Sequence, residues 1–251
     1  MRKCTRSSLL GLPTVAVFLS LASTASVHVD DFSSNTLDQY EAVVLFDSGS
    51  SGNSVDLTWD GLTQQAQVSL QGGYATSVMT TEVGSLIGAS QDFIFSVYVS
   101  VEQEYVASIY FGDLDPGSSS TYLRFNFDTF SGTDIGFAGY VNGVQVEDSA
   151  FMTGGSATNG TLEMRRLGSD LSFSLNGDLL FQTSNPGFSN QALHYGVANQ
   201  ITSGPSSLTS RNKFDNWNFL PVPEPTTASL LALGLLGLAA ARSHGTRGHR
   251  L

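Results

Sequence analysis

Two closely spaced glutamates are the first residues of this sequence whose types and spacing could do chemistry. Glu102 and Glu104 are one residue apart, so on a single strand their carboxylates would share a face at about 6.6 Å. Retaining glycosidases hold their two carboxyl groups at about 5–5.5 Å. The apolar run from Phe93 to Phe111, however, exceeds the usual strand length of about 3–10 residues. We therefore expect a hairpin turn at these glutamates, with both carboxylates in solvent. A carbohydrate-active hydrolase that uses them is the least favoured of the three functions considered for this chain.

The sequence between the two chain ends contains no other hydrolase or zinc motif. It has no Gly-x-Ser-x-Gly elbow, and His28 and His194 are its only histidines. Neither histidine has a second ligand at the spacing of a zinc site. We therefore expect no catalytic residue, no enzymatic activity and no cofactor other than a possible calcium ion.

A calcium site is suggested by two aspartates in a turn. Asp113 and Asp115 stand just before a Pro-Gly pair, and carboxylate oxygens are the ligands that Ca²⁺ prefers. Asp128 and Asp134 are the candidates to complete the coordination. The full calcium-loop pattern and its terminal glutamate are missing, so an ordinary Asp-rich turn is the alternative.

The two tryptophans of the chain are candidates for stacking against sugar rings. Trp59 precedes a turn and is the tentative glycan-binding residue, because an indole offers an apolar face to a sugar. Trp217 is expected in the core instead, since it alternates with Asp215 and Phe219 on the predicted inward face of a strand.

The N-terminal residues have the layout of a secretory signal peptide. Residues 1–8 carry three cations, residues 9–21 are apolar, and small residues follow up to Ala25. This layout predicts a signal peptide over residues 1–25, with signal peptidase cutting between Ala25 and Ser26. The apolar stretch is 13 residues long, whereas a membrane-spanning helix needs about 20. Export is therefore favoured over an uncleaved anchor.

The C-terminal residues read as three consecutive parts. The segment that contains Pro223, Glu224 and Pro225 is predicted to be extended, because each proline fixes φ and disfavours helix at the residue before it. Residues 226–241 carry no charge, and a tip with three arginines, residues 242–251, follows. An apolar helix with a basic end is typical of a stop-transfer segment. At about 24 Å the helix is shorter than the hydrocarbon core of about 30 Å, which favours a brief anchor over a permanent one.

These three parts, in this order, resemble the PEP-CTERM sorting domain. The resemblance covers residues 221–251 and implies recognition by an exosortase, a membrane-embedded cysteine transpeptidase, in a Gram-negative bacterium that makes exopolysaccharide. Pro223, Glu224 and Pro225 match the family's recognised motif, so the resemblance implies that they form the sorting signal of a substrate. A proline-rich linker before an ordinary C-terminal anchor is the alternative.

Charge and cysteine content restrict what the part between the ends does. Residues 26–220 hold five Lys and Arg against 21 Asp and Glu. Nucleic acid is excluded as a partner, because phosphate binding needs a cationic surface. The only cysteine, Cys4, lies in the predicted signal peptide, so the mature chain is expected to have neither disulfides nor thiolate metal ligands.

Residues 26–220 show the periodicity of strands. Apolar side chains recur at every second position in residues 93–101 and 123–127, which places one apolar face inward. Asn-Gly pairs, typical of tight hairpins, occur at residues 142–143 and 176–177. Because no long helical stripe is present, the pattern predicts an all-β domain: a two-sheet antiparallel jelly-roll sandwich.

Within this class, three stretches resemble a concanavalin A-like, or laminin-G-like, jelly roll: residues 30–38, 162–177 and 214–217. The resemblance implies this fold and contact with glycans, but no activity. Together with the two ends, it predicts an exported, exosortase-sorted protein of the cell surface, outer envelope or exopolysaccharide matrix. Its predicted role is structural or adhesive, and residues 226–241 would hold it transiently at the inner membrane. The second alternative is a carbohydrate-binding module, with or without calcium.

Overall fold

Most of the domain between the two ends is described by a computed structural model of the chain. The described residues are 27–47, 53–72, 75–81, 86–89, 91–101, 106–114, 121–128, 134–152, 159–189, 191–201 and 209–222, together with Leu231 and residues 233–235. They form two antiparallel sheets, each of eight strands. The predicted all-β sandwich is confirmed.

The first sheet contains both ends of the domain. Its strand order is β14-β13-β12-β7-β16-β4-β3, and β1 pairs with β16 beside this row. The strands are β1 (His28–Asp30), β3 (Ser54–Asp60), β4 (Gln65–Gln71), β7 (Phe93–Ser100), β12 (Asn159–Leu167), β13 (Asp170–Leu175), β14 (Asp178–Thr183) and β16 (Thr209–Pro221).

The second sheet has the order β11-β10-β9-β8-β15-β5-β2, and β6 pairs with β15. Its strands are β2 (Tyr40–Asp47), β5 (Ala75–Thr81), β6 (Leu86–Ile87), β8 (Val106–Gly112), β9 (Tyr122–Asp128), β10 (Asp134–Val141), β11 (Val144–Met152) and β15 (Leu193–Ile201). A 3-10 helix (Leu37–Gln39) and one short helix, α1 (Pro186–Ser189), complete the described elements.

The core lies between the sheets and is built by alternating side chains. In β7, every second residue from Phe93 to Val99 is fully buried and the residues between are half-buried. Leu123, Phe125 and Phe127 do the same from β9. This period of two places one apolar face of each sheet inward, as the sequence predicts.

The two predicted Asn-Gly hairpins are present. Asn142 and Gly143 join β10 to β11, and Asn176 and Gly177 join β13 to β14, all four with positive φ. Both central residues of a type I′ turn need positive φ, which Asn and Gly adopt most easily. The local sequence therefore fixes the register of these two hairpins.

The prediction that Asp215 shares the inward face of Trp217 is wrong, because β16 contains a bulge between them. Trp217 and Phe219 are fully buried, as expected, but Asp215 is half-exposed and Phe214 is buried in its place. Asn216 has φ 52°, and the register with β7 shifts at this point. The extra residue changes the alternation, so the period that holds at Trp217 does not extend back to Asp215.

The predicted hairpin at Glu102 and Glu104 is wrong. The apolar run does break there, because β7 ends at Ser100 and β8 begins at Val106. The two strands, however, belong to opposite sheets. The connection therefore crosses from one sheet to the other, a difference that the local sequence does not encode.

A buried polar network joins the two sheets. The Asn199 side chain, on β15, accepts hydrogen bonds from the Ser210 hydroxyl and the Asn212 amide, each at 2.7 Å, and donates to the Val68 carbonyl at 3.1 Å. Asn199, Ser210 and Asn212 are at most 1% exposed. A buried network whose members are satisfied favours one arrangement of the sheets over alternatives.

The predicted targeting segments lie mostly outside the described residues. Leu231 and residues 233–235 are helical and their leucines are exposed. Within the described part of the chain, no helix combines the length and the apolar character needed to cross a membrane. The signal peptide (1–25), the membrane segment (226–241) and the basic tip (242–251) stay predictions.

Candidate functional site

The end of β16 leads directly into the proline-rich segment. Pro221 still pairs with Phe93 of β7, and the Val222 N–H donates to the Asp92 carbonyl at 2.9 Å. Pro223, Glu224 and Pro225 follow immediately and lie outside the described residues, so their predicted role in sorting stays a prediction. The folded sheet therefore ends one residue before the Pro-Glu-Pro sequence.

A buried arginine fixes the segment to which Val222 is bonded. Arg166, fully buried, donates to the Gln91 carbonyl at 2.6 Å and to the Gly88 carbonyl at 2.7 Å. Its guanidinium lies over the rings of Phe93 and Phe111, at 5.2 Å and 5.4 Å from their centroids. Burial lowers the pKa of Arg166 to about 10, although Asp92 opposes this shift. The arginine stays charged at neutral pH and holds the segment through backbone carbonyls.

The N-terminal strand lies beside the same end of β16. His28 pairs with Phe219, and Asp30 pairs with Trp217. Ala25 and Ser26, the predicted signal cleavage pair, lie outside the described residues, just before Val27. The two ends of the domain are therefore neighbours on one sheet.

A small hydrogen-bonded cluster secures this N-terminal strand. The Tyr40 hydroxyl contacts His28 Nε2 at 2.9 Å and donates to Asp30 Oδ2 at 3.1 Å. Burial, with Asp30 adding to it, raises the pKa of Tyr40, while burial lowers the pKa of His28 against the opposing effect of Asp30. The Tyr40 ring packs edge-on against Trp217, with centroids 5.2 Å apart. Because Tyr40 belongs to β2, its contacts with His28 and Asp30 join β1 to the second sheet.

Three tyrosines form a stacked row on the outer face of the second sheet. Tyr110, Tyr122 and Tyr140 occupy neighbouring strands β8, β9 and β10, with ring centroids 6.1 Å and 4.8 Å apart. They alternate with the core residues of these strands and therefore face away from the core. Tyr110 is buried in a separate apolar cluster with Leu45, whereas Tyr122 and Tyr140 are half-exposed. We call this row the tyrosine face.

Polar groups border the tyrosine face. The Arg124 guanidinium donates to Gln200 Oε1 at 2.7 Å and lies 5.5 Å from the centroid of Tyr122. Its buried Nε has no hydrogen-bond partner. Ser108 donates to Asn126 Oδ1 at 2.7 Å. Half-exposed aromatic rings beside a few fixed polar groups are a common lining of ligand sites.

The sequence contained part of the signal for this face. Tyr122, Arg124 and Asn126 alternate with the predicted inward residues of β9, so their common outward direction follows from the period of two. Tyr140 and Gln200 join them only because β10 and β15 are brought close by the sheet order. That order is not written in any local pattern.

Trp59, the predicted glycan-binding residue, lies near the end of the edge strand β3. It is half-exposed, and its Nε1–H donates to the Phe32 carbonyl at 3.0 Å. Its ring lies against Gly61, where an added Cβ would come within 2.9 Å of the ring. One edge of the indole is therefore engaged within the fold, and glycan binding by Trp59 stays a prediction.

The predicted calcium ligands are only partly described. Asp113 Oδ2 accepts a hydrogen bond from the Thr121 N–H at 2.8 Å, while Asp115 lies outside the described residues. Asp128 pairs with Val106, at the opposite end of β8 from Gly112 and Asp113. Six residues of strand span about 20 Å. Asp128 and its partner Asp134 therefore do not complete a site with Asp113, and calcium binding at Asp113 and Asp115 stays a prediction.

The described residues do not form the other predicted catalytic or metal sites. Glu102 and Glu104 lie outside the described residues. Among the side chains that are described, no three His, Cys, Asp or Glu residues stand close enough to share a metal ion. The described part of the chain therefore offers the tyrosine face and the junction with the tail as its candidate sites.

Residues 221–243 match the family described as the PEP-CTERM protein-sorting motif. The chain carries this sorting motif. It implies an exported protein that is anchored transiently at the membrane and processed by an exosortase. The resemblance noted in the sequence is thereby confirmed.

Solved structures confirm the type of sandwich. A Bacillus licheniformis β-glucanase is 12% identical, with 79% of this chain and 98% of that chain covered and a TM-score of 0.55. The laminarinase catalytic domain of Thermotoga maritima MSB8 is 8% identical, covering 78% and 98%, with a TM-score of 0.55. The carbohydrate recognition domain of Emp47p is 13% identical, covering 80% and 99%, with a TM-score of 0.53. At these identities the likeness shows the concanavalin A-like fold alone. No curated protein matches the chain.

Proposed function

We propose that an exosortase processes this exported chain and delivers it to the cell surface or the exopolysaccharide matrix, where the sandwich has a structural or adhesive role. The observation that carries the proposal is the continuity of fold and signal. Pro221 is the last residue of β16 and also the first residue of the matched sorting motif. The sandwich is therefore the cargo, and no further domain stands between it and the signal.

Two processing steps follow from this proposal. Signal peptidase cuts between Ala25 and Ser26, and the exosortase recognises Pro223, Glu224 and Pro225 while residues 226–241 hold the chain at the inner membrane. Because the mature chain carries no cysteine and its sandwich is closed by a continuous apolar core, the product needs no disulfide to persist outside the cell.

Fractionation of cells tests the sorting step. A Glu224→Gln variant removes the acidic centre of the motif, and we expect it to stay with the membrane fraction while the wild-type chain reaches the surface or matrix. Glu163→Gln, at a half-exposed position of β12, is the matched control and should distribute like wild type. Equal distribution of wild type and Glu224→Gln would contradict the proposed role of the motif.

Carbohydrate binding is the second candidate function, and the tyrosine face supports it. Two half-exposed rings, Tyr122 and Tyr140, stand beside the fixed groups of Arg124 and Gln200. Tyr110 donates to the carbonyl of Asp113, so this predicted calcium ligand borders the same face. Proteins of this fold include glucanases and a carbohydrate recognition domain, which makes a glycan the ligand to test first. Adhesion through such a face fits a matrix protein without requiring catalysis.

Titration against exopolysaccharide fragments tests this second function. Loss of one stacked ring removes about 0.5–1.5 kcal/mol, or roughly 2- to 10-fold in affinity, so we expect this loss in Tyr122→Ala and in Tyr140→Ala. Tyr98→Ala, half-exposed on the outer face of β7, is the matched control and should bind like wild type. A loss in Trp59→Ala with no loss at the tyrosines would move the site to the edge strand β3.

Hydrolase activity, the remaining alternative, can be measured in the same titrations with exopolysaccharide fragments. If Glu102→Gln or Glu104→Gln abolishes product formation from the bound fragments while binding is kept, the protein is an enzyme and the proposed structural or adhesive role is wrong. We expect no turnover in wild type or in either variant.

A further inference from the structure

Exposed aliphatic side chains gather at one end of the sandwich. In the first sheet, Leu220 pairs with Ile94, one residue before the last pair of β16 with β7, Pro221 with Phe93. Leu167 ends β12, one residue beyond the pair of Arg166 with Phe93. Val27 directly precedes β1, whose first residue pairs with Phe219. All of these positions lie at the end of the sheet from which Val222 leaves.

The second sheet adds two side chains to the same end. The ring of Phe111, at the end of β8, lies 5.3 Å from that of Phe93, which aligns this end of both sheets. Leu86 pairs with His194, and His194 pairs with Gly112, the residue after Phe111.

The hairpin after β10 lies at this level too. Gly112 pairs with Tyr122, and Tyr122 pairs with Tyr140. Val144 follows the hairpin turn and pairs with Val141, the last residue of β10. The hairpin therefore projects from the same end as the C-terminus of β8.

Together these residues define a surface that we call the terminal pole: Val27, Leu86, Val144, Leu167 and Leu220. Each is between 36% and 64% exposed. At the far end, marked by Ser54, Gln71 and Thr209, no large apolar side chain of the described residues is exposed. Single exposed aliphatic residues are common, and Val29, Leu62, Val146 and Leu179 are exposed outside this set. Five of the nine that are exposed in the described sandwich nevertheless lie at the end where the tail departs.

The short distance between the sandwich and the uncharged segment explains why the apolar side chains lie at this end. Val222 is bonded to Asp92, and only Pro223, Glu224 and Pro225 separate it from the uncharged residues 226–241. Three residues span at most about 11 Å when fully extended. Since the headgroup layer on each side of the hydrocarbon core is about 5–8 Å thick, a chain anchored by residues 226–241 holds its terminal pole at the membrane surface.

We propose that the terminal pole is a membrane-contact surface, whose aliphatic side chains enter the interfacial layer of the bilayer while the tail anchors the chain. The inference rests on the proposed function, because it requires that residues 226–241 insert. The contact orients the domain with the opposite end, marked by Gln71, away from the inner membrane. A few separate aliphatic side chains bind a membrane weakly compared with an inserted helix, so removal of the tail releases the domain.

Single-cysteine labelling tests the contact, since the chain has no cysteine other than Cys4. The chain lacking the signal peptide is reconstituted in vesicles of phosphatidylethanolamine and phosphatidylglycerol, some of which carry nitroxide-labelled lipid. An environment-sensitive fluorophore is placed by Leu220→Cys, Leu167→Cys or Val144→Cys at the pole, and by Ser54→Cys or Gln71→Cys at the far end. We expect the pole probes to be quenched at least about twofold more strongly than the far-end probes, because only side chains at interfacial depth meet the nitroxide. In a chain that ends at Val222, the excess should vanish.

The outcomes separate this inference from the function on which it rests. If the full chain does not float with vesicles, the tail does not insert, and the proposed anchoring fails together with the inference. If the chain floats but pole and far-end probes are quenched equally, the contact is refuted while anchoring stands. If the pole probes respond only when exosortase is added to the vesicles, the pole contacts the enzyme and the membrane proposal is wrong.

Discussion

The buried network around Asn199 should contribute several kcal/mol to the stability of the sandwich. Asn199→Ala removes the acceptor shared by the Ser210 hydroxyl and the Asn212 amide, and also the donor to the Val68 carbonyl. All three side chains are buried, so water does not replace the lost partner. Leaving a buried donor unsatisfied costs about 1–3 kcal/mol. With two donors affected, we expect Asn199→Ala to lower the free energy of unfolding by about 3–5 kcal/mol.

Ser210→Ala provides the matched comparison. This change removes a donor and its hydrogen bond together, so it should lower the free energy of unfolding by only about 0.5–1.5 kcal/mol. In the double variant, the Ser210 hydroxyl is no longer left unsatisfied. The two changes should therefore couple by about 1–2 kcal/mol, as expected for residues in one hydrogen-bonded network.

Urea unfolding of residues 26–222, followed by tryptophan fluorescence, measures these differences. Trp217 is buried between the sheets and reports their separation. If Asn199→Ala unfolds at the same urea concentration as wild type, or if the two changes add without coupling, the network does not stabilise the contact between the sheets.

Two further predictions concern a turn and a titrating group. Gly177→Ala should lower the free energy of unfolding by about 1–2 kcal/mol, because Gly177 has φ +88°, where a Cβ strains the backbone although no atom lies within 4 Å of it. Gly88→Ala is the control: its Cβ would contact only Gln91 Oε1, at 3.6 Å, so it should change the free energy of unfolding by less. Equal effects of the two changes would contradict the turn assignment. Burial lowers the pKa of His28 from its ordinary 6.5, so the unfolded chain binds the proton more readily and stability should fall as the pH drops below about 6.5. His28→Gln should flatten that fall in urea unfolding measured across this pH range, and an unchanged pH dependence would show that His28 does not cause it.

The sequence predicts the strands well because their signals are local. The inward face of β7 and the turns at Asn142 and Asn176 follow from alternation and from residues that tolerate positive φ. The same local logic fails at Asn216, where one extra residue in the strand reverses the alternation. Nothing in the neighbouring residues announces that bulge, because Asn adopts both extended and left-handed conformations.

The candidate sites depend on contacts between distant parts of the chain. The Pro-Glu-Pro sequence is readable by itself, but the bond of Val222, the residue before it, to Asp92 requires the pairing of β16 with β7. The closeness of Arg166 to the same segment requires the pairing of β12 with β7. The tyrosine face likewise needs Tyr140 and Gln200 to be brought to β9 by the order of the strands. Trp59, the more conspicuous residue in the sequence, is tied by its N–H to Phe32.

Intact mass spectrometry of the protein recovered from the native envelope and matrix tests the central claim most directly, with and without the exosortase of the host. We predict that the mature chain begins at Ser26 and ends between Pro223 and Pro225 only when the exosortase is present. If the chain retains its tail through Leu251 both with and without the exosortase, the protein is an ordinary membrane-anchored protein and the proposed sorting is wrong.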